Sequence, residues 1–321
     1  MREARFIKKH KEKWLRAQQS PPADPDEMAE NFTELVNDLA YAKTFYHTSK
    51  VTQFINSQAA RVYLSIYQNR KEESNRILDF WRTDLPLTIR KYHRVIFFTL
   101  GLFCLFFVVG FFSTRQDESF ARQVLGDSYV DRTIENIESG NPFGVYEHGN
   151  SFLSWMGIMI NNMRVALVYF SEGILFGIFT IRDLMHEGVR LGAFHYLFFS
   201  RGLGLQWGLS VMIHGLLELW CIILSASAGI IFGMGFLFPG TTRRIESLKR
   251  AVKDGLKITV GILPLLAVAA FFEGFVTRYY RMPWILSSAI LASSGAFILW
   301  YFIVYPIRLQ KRFLTQKTVE R

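Results

Sequence analysis

The pattern of apolar and polar positions changes abruptly near Arg94. Before this residue, polar and charged positions dominate and apolar residues recur at helical spacing; after it, long apolar stretches alternate with short charged ones. About 18–20 consecutive apolar residues can cross the hydrocarbon core of a bilayer, and residues 95–112 form an uncharged window of that kind. The pattern predicts an all-α, polytopic helical membrane protein with a cytoplasmic helical region at 1–93, a transmembrane bundle at 94–306 and a basic tail at 307–321.

The N-terminal region is predicted to form several amphipathic helices. Residues 1–19 combine Lys and Arg with bulky apolar side chains, which is typical of a basic amphipathic helix. Apolar residues at helical spacing continue through 27–57, and a third helix is expected around 58–71. Residues 72–93 mix aromatic, apolar and basic side chains, which indicates a helix that lies at the membrane interface before the first span.

The charged loops set the predicted topology. The loop 114–150 carries three arginines against seven acidic residues and is expected outside, whereas the basic loop 239–257 is expected in the cytoplasm. An odd number of crossings must therefore separate these two loops, although only two long apolar blocks lie between them. We predict a further crossing at 183–200, with a re-entrant hairpin there as the alternative. The full prediction is about six crossing or re-entrant helices with both termini in the cytoplasm, at 95–112, 152–181, 183–200, 207–238, 257–277 and 284–305.

The block 207–238 is too long for a simple crossing. Its 32 residues would extend about 48 Å as a straight helix, against a hydrocarbon core of roughly 30 Å, so the block must tilt, project or break. Gly229 and Gly233 form a GxxxG pattern, which favours close contact between helices in lipid. We interpret this pattern first as packing within the chain and second as a contact in a homo-oligomer.

Several polar side chains fall at membrane depth, where they are costly and commonly functional. His214 and Glu218 lie four residues apart, so both leave the same face of a helix. The alternative is structural: Arg164 could pair with Glu172 or Glu218 and fix the packing of helices. The candidate binding site, or buried polar cluster, comprises Asn161, Asn162, Arg164, Glu172, His214, Gly215, Glu218 and Glu273.

The chemistry open to these residues is limited. A metal site would need ligands beyond His214 and Glu218, such as His186 or Glu273, and no nucleophile motif accompanies the pair. We therefore predict no metal, no cofactor and no catalytic residue. Proton coupling remains open to a His/Glu pair and fits a transporter, whose helices are often interrupted near the midplane. On that hypothesis, the polar residues interrupt both long apolar blocks.

Several short motifs, spread over nearly the whole chain, carry a family resemblance. They are MREARFIKKHKEKW at the start, DLAYAK at 38–43, NNMRVA at 161–166, HGLLEL at 214–219, and the glycine-spaced EGILFGIF and EGVRLGAF. In this combination the chain resembles the stage II sporulation protein M family. The resemblance implies a polytopic, all-helical inner-membrane protein without an established enzymatic activity. The family's motif positions fall on Asn161, Asn162, Arg164, His214, Gly215 and Glu218.

The resemblance has limits. The family often has Asn-Gly where this chain has Glu187-Gly188, so no role of that amide is carried over. The namesake acts in endospore engulfment, where it resembles a membrane scaffold that localises peptidoglycan-degrading partners. This chain has a long N-terminal region that the namesake lacks, so a role in sporulation is not carried over either.

Three hypotheses of function follow from these features, of which the third is an enzyme that works inside the membrane. The first is a scaffold or assembly factor of the bacterial inner membrane whose region 1–93 binds an unidentified protein partner, because no catalytic motif accompanies this long soluble region. The second is a transporter or lipid-handling protein that uses the buried polar cluster. Membrane lipids are expected partners and nucleic acid is not, because the net charge of +10 is concentrated beside apolar segments, where it sets topology.

Overall fold

The computed structural model is helical, with no β-strand, over the residues that it describes, which are 3–19, 25–68, 76–142, 151–276 and 282–319. The all-α class predicted from the sequence is therefore confirmed. The chain divides into two compact units, Met1–Arg76 and Ile77–Arg321.

The first unit consists of three helices, α1 (Glu3–Gln19), α2 (Pro25–Phe45) and α3 (Lys50–Gln68). The continuous helical pattern predicted for 27–57 is interrupted between α2 and α3. Ser49 accounts for the break, because its Oγ accepts a hydrogen bond from the backbone N–H of Val51 at 3.1 Å. A serine in this position satisfies a free N–H group at the start of a helix and favours a new helix over the continuation of the old one.

A small apolar core holds the first unit together. Phe6 and Trp14 of α1 are buried against apolar side chains of α2 and α3. The indole Nε1 of Trp14 donates a hydrogen bond to Asp38 Oδ2 at 2.8 Å. On the surface, the hydrogen bond and charge of Glu34 raise the pKa of Lys13 above its ordinary value. The first unit thus has a core of its own.

The second unit begins with short helical elements that pack against its long helices. They are α4 (Arg76–Asp79), a π-helical turn (Phe80–Asp84) and α5 (Leu85–Lys91). Leu85 and Ile89 are fully buried, and the indole Nε1 of Trp81 donates a hydrogen bond to the carbonyl oxygen of Gly261 at 3.1 Å. The segment that the sequence placed at the end of region 1–93 is therefore part of the second unit, because its apolar face is covered by that unit's helices.

The remaining elements of the second unit are nine α-helices within the described residues: α6 (His93–Gln116), α7 (Ser119–Leu125), α8 (Asp127–Glu138), α9 (Ser151–Ser171), α10 (Ile178–Phe199), α11 (Gly204–Leu237), α12 (Arg244–Phe271), α13 (Trp284–Ile298) and α14 (Tyr305–Val319). A 3₁₀ turn, Glu172–Leu175, follows α9. Two π-helical turns, Phe272–Val276 and Leu299–Val304, follow α12 and α13. Helix α12 begins within the predicted basic loop 239–257, so the irregular part of that loop is short.

Within the described ranges, four helical stretches are long and apolar enough to cross a membrane: His93–Gln116, Gly204–Leu237, Arg244–Val276 and Trp284–Thr315. The chain is therefore a membrane protein. Helices α9 and α10 do not reach the same apolar character, because Asn161, Asn162 and Arg164 interrupt the first and four charged residues interrupt the second. The predicted count of about six spans is not confirmed.

The boundary between α9 and α10 differs from the predicted one. The block predicted as one span at 152–181 is divided by the 3₁₀ turn, after which Phe176 and Gly177 adopt left-handed backbone conformations with φ of 60° and 76°. The hydroxyl Oγ1 of Thr180 then donates a hydrogen bond to the carbonyl oxygen of Tyr169 at 3.0 Å. The chain therefore folds back on itself here, and α10 starts earlier than the predicted span at 183–200.

Helix α11 is the centre of the second unit and is continuous over 34 residues. The predicted interruption at His214, Gly215 and Glu218 is wrong, and α9 likewise runs unbroken through Asn161 and Asn162. In both helices the polar side chains are displayed from regular backbone, so no break is needed to present them.

The GxxxG pattern of α11 packs inside the chain. A Cβ atom at Gly229 would lie 2.2 Å from the carbonyl oxygen of Tyr169, and one at Gly233 would lie 2.4 Å from the carbonyl carbon of Phe176. Small residues thus let α11 approach the α9–α10 turn closely. The packing interpretation of the pattern agrees with this contact, and both glycines are buried within the chain.

Candidate functional site

Three ionisable side chains from two helical elements meet in the second unit. His214 and Glu218 project from the same face of α11, and Glu273 projects from the π-helical turn after α12. One donor atom from each side chain lies within 4.8 Å of the others. His214 is only 4% exposed, while the two carboxylates retain partial exposure. We call these three residues the central cluster.

The position of Glu273 depends on local packing at the end of α12. A π-helical turn inserts one additional residue into a helical repeat, which changes the direction of the side chains around it. Gly274, inside this turn, lies directly against Trp155 of α9, where a Cβ atom would come within 3.0 Å of Trp155 Cβ. The indole Nε1 of Trp155 also donates a hydrogen bond to the carbonyl oxygen of Ala267 at 3.2 Å. These contacts anchor the turn that presents Glu273 to α11.

Asn162 of α9 adds a fourth polar group to the central cluster. Its side chain is 9% exposed and faces the Glu218 carboxyl group. The amide oxygen Oδ1 of Asn162 accepts a hydrogen bond from Asn161 Nδ2 at 3.4 Å, whereas Asn162 Nδ2 is directed toward the Glu218 carboxyl group without reaching normal hydrogen-bond geometry with any described residue. A buried amide hydrogen without a partner is uncommon in folded proteins and calls for an explanation.

The other predicted site residues lie outside the central cluster. Arg164 is exposed on α9 and forms no ion pair among the described residues. Glu172 pairs with Arg182 instead, at 3.6 Å, and Arg182 also pairs with Asp183 at 2.6 Å. The pairs that the structural alternative named, Arg164 with Glu172 or with Glu218, are not among the ion pairs of the described residues. Arginine at position 164 points away from the interior because α9 is turned so that Asn162 faces α11.

Asn161 and Gly215 have secondary positions. Asn161 is exposed on α9 and contacts the cluster only through its hydrogen bond to Asn162. Gly215 is buried on α11 beside His214, and among the described residues a Cβ atom there would meet the side chain of Met212, at 3.3 Å from Cε and 3.8 Å from Sδ. Gly215 therefore does not mark a helix break or a close approach between two backbones.

The charges of the central cluster are not balanced by a basic side chain. Among the described residues, no Lys or Arg forms an ion pair with Glu218 or Glu273. Glu187 of α10 adds a further carboxyl group within electrostatic reach of Glu218, and Arg190 on the same helix offsets the charge of Glu187. Placing like charges together away from water is strongly unfavourable unless a proton or a cation neutralises them. The arrangement is thus suited to hold a positive ion.

A cavity of about 210 Å³ lies on the side of α10 that carries Glu187, and none of the three cluster residues lines it. It lies between α10 and the short helices α7 and α8, and Tyr129, Glu187 and Arg190 supply its polar lining. Tyr129 is within electrostatic reach of Glu273, and Glu187 is within reach of Glu218, so the cavity and the cluster share an environment. These lining residues were not among the predicted site residues. The departure from the family pattern at Glu187-Gly188 is the sequence signal that could have found one of them, although it was used only to set aside the family's amide.

The fold and the four apolar helices define an all-helical integral membrane protein. Residues 99–278 match the family described as stage II sporulation protein M, which is more than half of the chain, so the chain belongs to this family. The resemblance inferred from the motifs is confirmed. Residues 4–68 match a separate domain of unknown function, which coincides with the three helices of the first unit.

Two curated relatives come from the archaeon Methanocaldococcus jannaschii. The uncharacterized protein MJ0793 is 25% identical over 185 residues, which cover 57% of this chain and 93% of that protein. The uncharacterized protein MJ0706 is 30% identical over 132 residues, which cover 38% of this chain and 55% of that protein. No solved structure matches the chain.

Proposed function

We propose that the chain is a multi-pass transporter of the cytoplasmic membrane whose central cluster carries a small cation. The main observation is that His214, Glu218 and Glu273 converge and that, among the described residues, neither carboxylate forms an ion pair with a Lys or Arg. When buried carboxylates serve only to pack helices together, they are normally paired with basic side chains, since an unpaired buried carboxylate is destabilising. A transported cation supplies the positive charge that balances the carboxylates of Glu218 and Glu273.

The proposal includes six membrane crossings. The least apolar of them is α10, and its register against α6 supports this crossing. Gly188 lies against Phe103 and Phe106, and four residues later Gly192 lies against Phe107 and Phe111. The contacts advance in the same direction on both helices, so α10 runs parallel to α6. If α6 crosses the bilayer, α10 crosses beside it, and α6 shields the side of α10 that carries these glycines.

Contacts between α9 and α12 support the remaining crossing. Trp155 near the start of α9 contacts Ala267 near the end of α12, and Phe170 near the end of α9 contacts Gly255 nearer the start of α12. The two helices are therefore antiparallel neighbours. With α9, α10 and α11 all crossing, three spans separate the acidic loop 114–150 from the basic segment 239–257, as the charge rule requires. Both termini then lie in the cytoplasm.

The transport proposal is tested with full-length protein in liposomes. Fluxes of H⁺, Na⁺, Mg²⁺, Ca²⁺ and Zn²⁺ are measured with entrapped indicator dyes, and the Glu218→Gln variant is compared with wild type. We expect wild type to accelerate the flux of at least one of these cations and Glu218→Gln to abolish that acceleration while the helical content is unchanged. The matched control is Glu246→Gln, which removes an exposed carboxylate paired with Lys249 and should leave the flux unaltered. Wild-type fluxes equal to those of protein-free liposomes would overturn the proposal.

A second candidate function, the scaffold or assembly factor, is favoured by the first unit. This unit has its own core and matches a separate domain, and it presents exposed apolar side chains at Phe45, Tyr63 and Leu64. Such residues are suited to bind a protein partner in the cytoplasm. If the scaffold function is correct, deletion of the first unit should abolish the protein's function in cells, while any cation flux measured in liposomes persists. Loss of the cellular role in Glu218→Gln with an intact first unit would favour transport instead.

A further inference from the structure

We propose that the central cluster binds one divalent transition-metal cation, through His214, Glu218 and Glu273, with the amide of Asn162 as a fourth ligand. The inference rests on the proposed function, because it names the class of cation that the cluster takes. It also makes a separate claim, since a metal can be bound at this position whether or not it is moved across the membrane.

The donor set selects the class of metal. One imidazole and two carboxylates are typical ligands of Zn²⁺, Mn²⁺ and Fe²⁺, whereas Mg²⁺ and Ca²⁺ prefer sites built from oxygen ligands alone. His214 and Glu218 come from one turn of α11, and Glu273 approaches from a second element, so the three ligands surround a common point rather than lying in a row. A His-Glu-Glu set leaves at least one coordination position for a further ligand.

The distances are compatible with a bound ion. Ligand atoms that bind Zn²⁺ at about 2.0–2.2 Å lie at most about 4.4 Å apart, even on opposite sides of the ion. The donor atoms of the central cluster are already within 4.8 Å of one another. Rotation of the two glutamate side chains closes this difference, so α11 and the π-helical turn do not need to move.

Asn162 provides an independent sign of a ligand. Its side chain is buried and faces Glu218, yet its Nδ2 has no hydrogen-bond partner among the described residues. The nitrogen and oxygen of an amide exchange places when the group turns by a half rotation. After that rotation, Asn162 Oδ1 faces the cluster as a neutral oxygen ligand, and the buried Nδ2 turns toward the exposed Asn161, whose amide can also rotate to accept from it. A bound cation thus accounts for a buried amide nitrogen that faces the Glu218 carboxyl group without reaching normal hydrogen-bond geometry with it.

Charge favours a dication at this position. Glu218 and Glu273 together carry two negative charges when ionised, and no Lys or Arg of the described chain pairs with either. A single divalent ion neutralises both at once, and neutral His214 coordinates it through a ring nitrogen.

The binding test uses full-length protein purified in a mild detergent and treated with a chelator. Co²⁺ is titrated while its visible absorption is recorded, because the band intensity reports the geometry of the ligands, and Zn²⁺ is then added to displace it. We expect one ion per wild-type chain. Replacement of a ligand in Glu218→Gln or Glu273→Gln should weaken binding by about 100-fold or more, and Asn162→Leu should weaken it by about 10-fold.

Controls separate this site from other binding positions. Glu172→Gln, which removes a carboxylate paired with Arg182 outside the central cluster, should bind as wild type does. Circular dichroism of each variant reports whether the helices are retained. The two Glu→Gln changes are isosteric and therefore keep the shape of the site. Wild-type protein that binds no ion up to the micromolar range, or Glu218→Gln and Glu273→Gln variants that bind as tightly as wild type, would overturn the metal site.

The metal site and the transport proposal fail separately. If chelator-treated protein binds no Co²⁺ or Zn²⁺ but conducts another cation in a Glu218-dependent manner, the metal site is wrong and the transport proposal stands. If the metal binds as expected but no cation crosses the membrane, the metal site stands and the transport proposal is wrong.

Discussion

Two parts of α11, the stretch Trp220–Ile231 and the stretch around His214 and Glu218, differ in the polarity of their side chains. From Trp220 to Ile231 every residue is buried, and the polar ones are small, as with Ser227, whose hydroxyl donates to the carbonyl oxygen of Ile223 at 2.7 Å. Toward the start of the helix, His214 and Glu218 meet Glu273, and no Lys or Arg in the described part of the chain forms an ion pair with either carboxylate. The comparison teaches that one continuous helix can combine a closely packed stretch with a stretch that carries ionisable side chains, for which we propose a role in ion binding.

The largest expected effect is on the close-packed half. Gly229→Ala should reduce the free energy of unfolding by about 2–3 kcal/mol, because its Cβ would lie 2.2 Å from the carbonyl oxygen of Tyr169 and the backbones must separate. Chemical denaturation in detergent, followed by circular dichroism, measures the change.

The control for this prediction is the same substitution in the other half of α11. Gly208→Ala adds a Cβ that meets nothing within 4 Å, so the unfolding free energy should stay constant or rise by up to about 1 kcal/mol through better helix propensity. Equal effects of the two substitutions would remove the distinction between the halves.

A smaller effect of opposite sign is expected at the central cluster. Glu218→Gln keeps the shape of the side chain and removes a carboxylate that no Lys or Arg balances, so in metal-free protein the free energy of unfolding should rise by about 1 kcal/mol. The same denaturation experiment measures it. A decrease in the free energy of unfolding of more than about 1 kcal/mol would mean that the Glu218 carboxylate stabilises helix packing. The part of α11 around His214 and Glu218 would then resemble the closely packed part.

The smallest effect is expected at Arg164. Its side chain is exposed and forms no ion pair among the described residues, so Arg164→Leu should change the free energy of unfolding by less than about 0.5 kcal/mol. Arg182→Leu is the informative counterpart, since Arg182 contacts both Glu172 and Asp183. A marked destabilisation by Arg164→Leu alone would restore the structural pairing that the side-chain positions argue against.

The sequence predicted the features that depend on local pattern. The first apolar window, 95–112, lies inside α6, and the four-residue spacing of His214 and Glu218 places both on one face of α11. Glu273 was a candidate only because it lies at membrane depth. Its approach to Glu218 depends on the π-helical turn and on the contact between Gly274 and Trp155, which no local pattern encodes.

Other errors have a common physical origin. The predicted partners of Arg164 assumed that an arginine at membrane depth turns inward, whereas the packing of α9 gives the inward position to Asn162. The predicted breaks in α9 and α11 assumed that polar residues interrupt helices. The real break falls at Phe176 and Gly177, where two left-handed residues follow one another, and hydrophobicity does not signal such a conformation.

The central claim is that the part of α11 that carries His214 and Glu218 belongs to an ion-binding centre. Native mass spectrometry tests this claim most directly. Full-length wild type and the Glu218→Gln variant are each incubated with Zn²⁺, freed of excess metal and weighed with their subunits intact. We predict that wild type retains the mass of one zinc ion per chain and that Glu218→Gln retains none. The same number of zinc ions on both proteins, or none on either, would contradict the account.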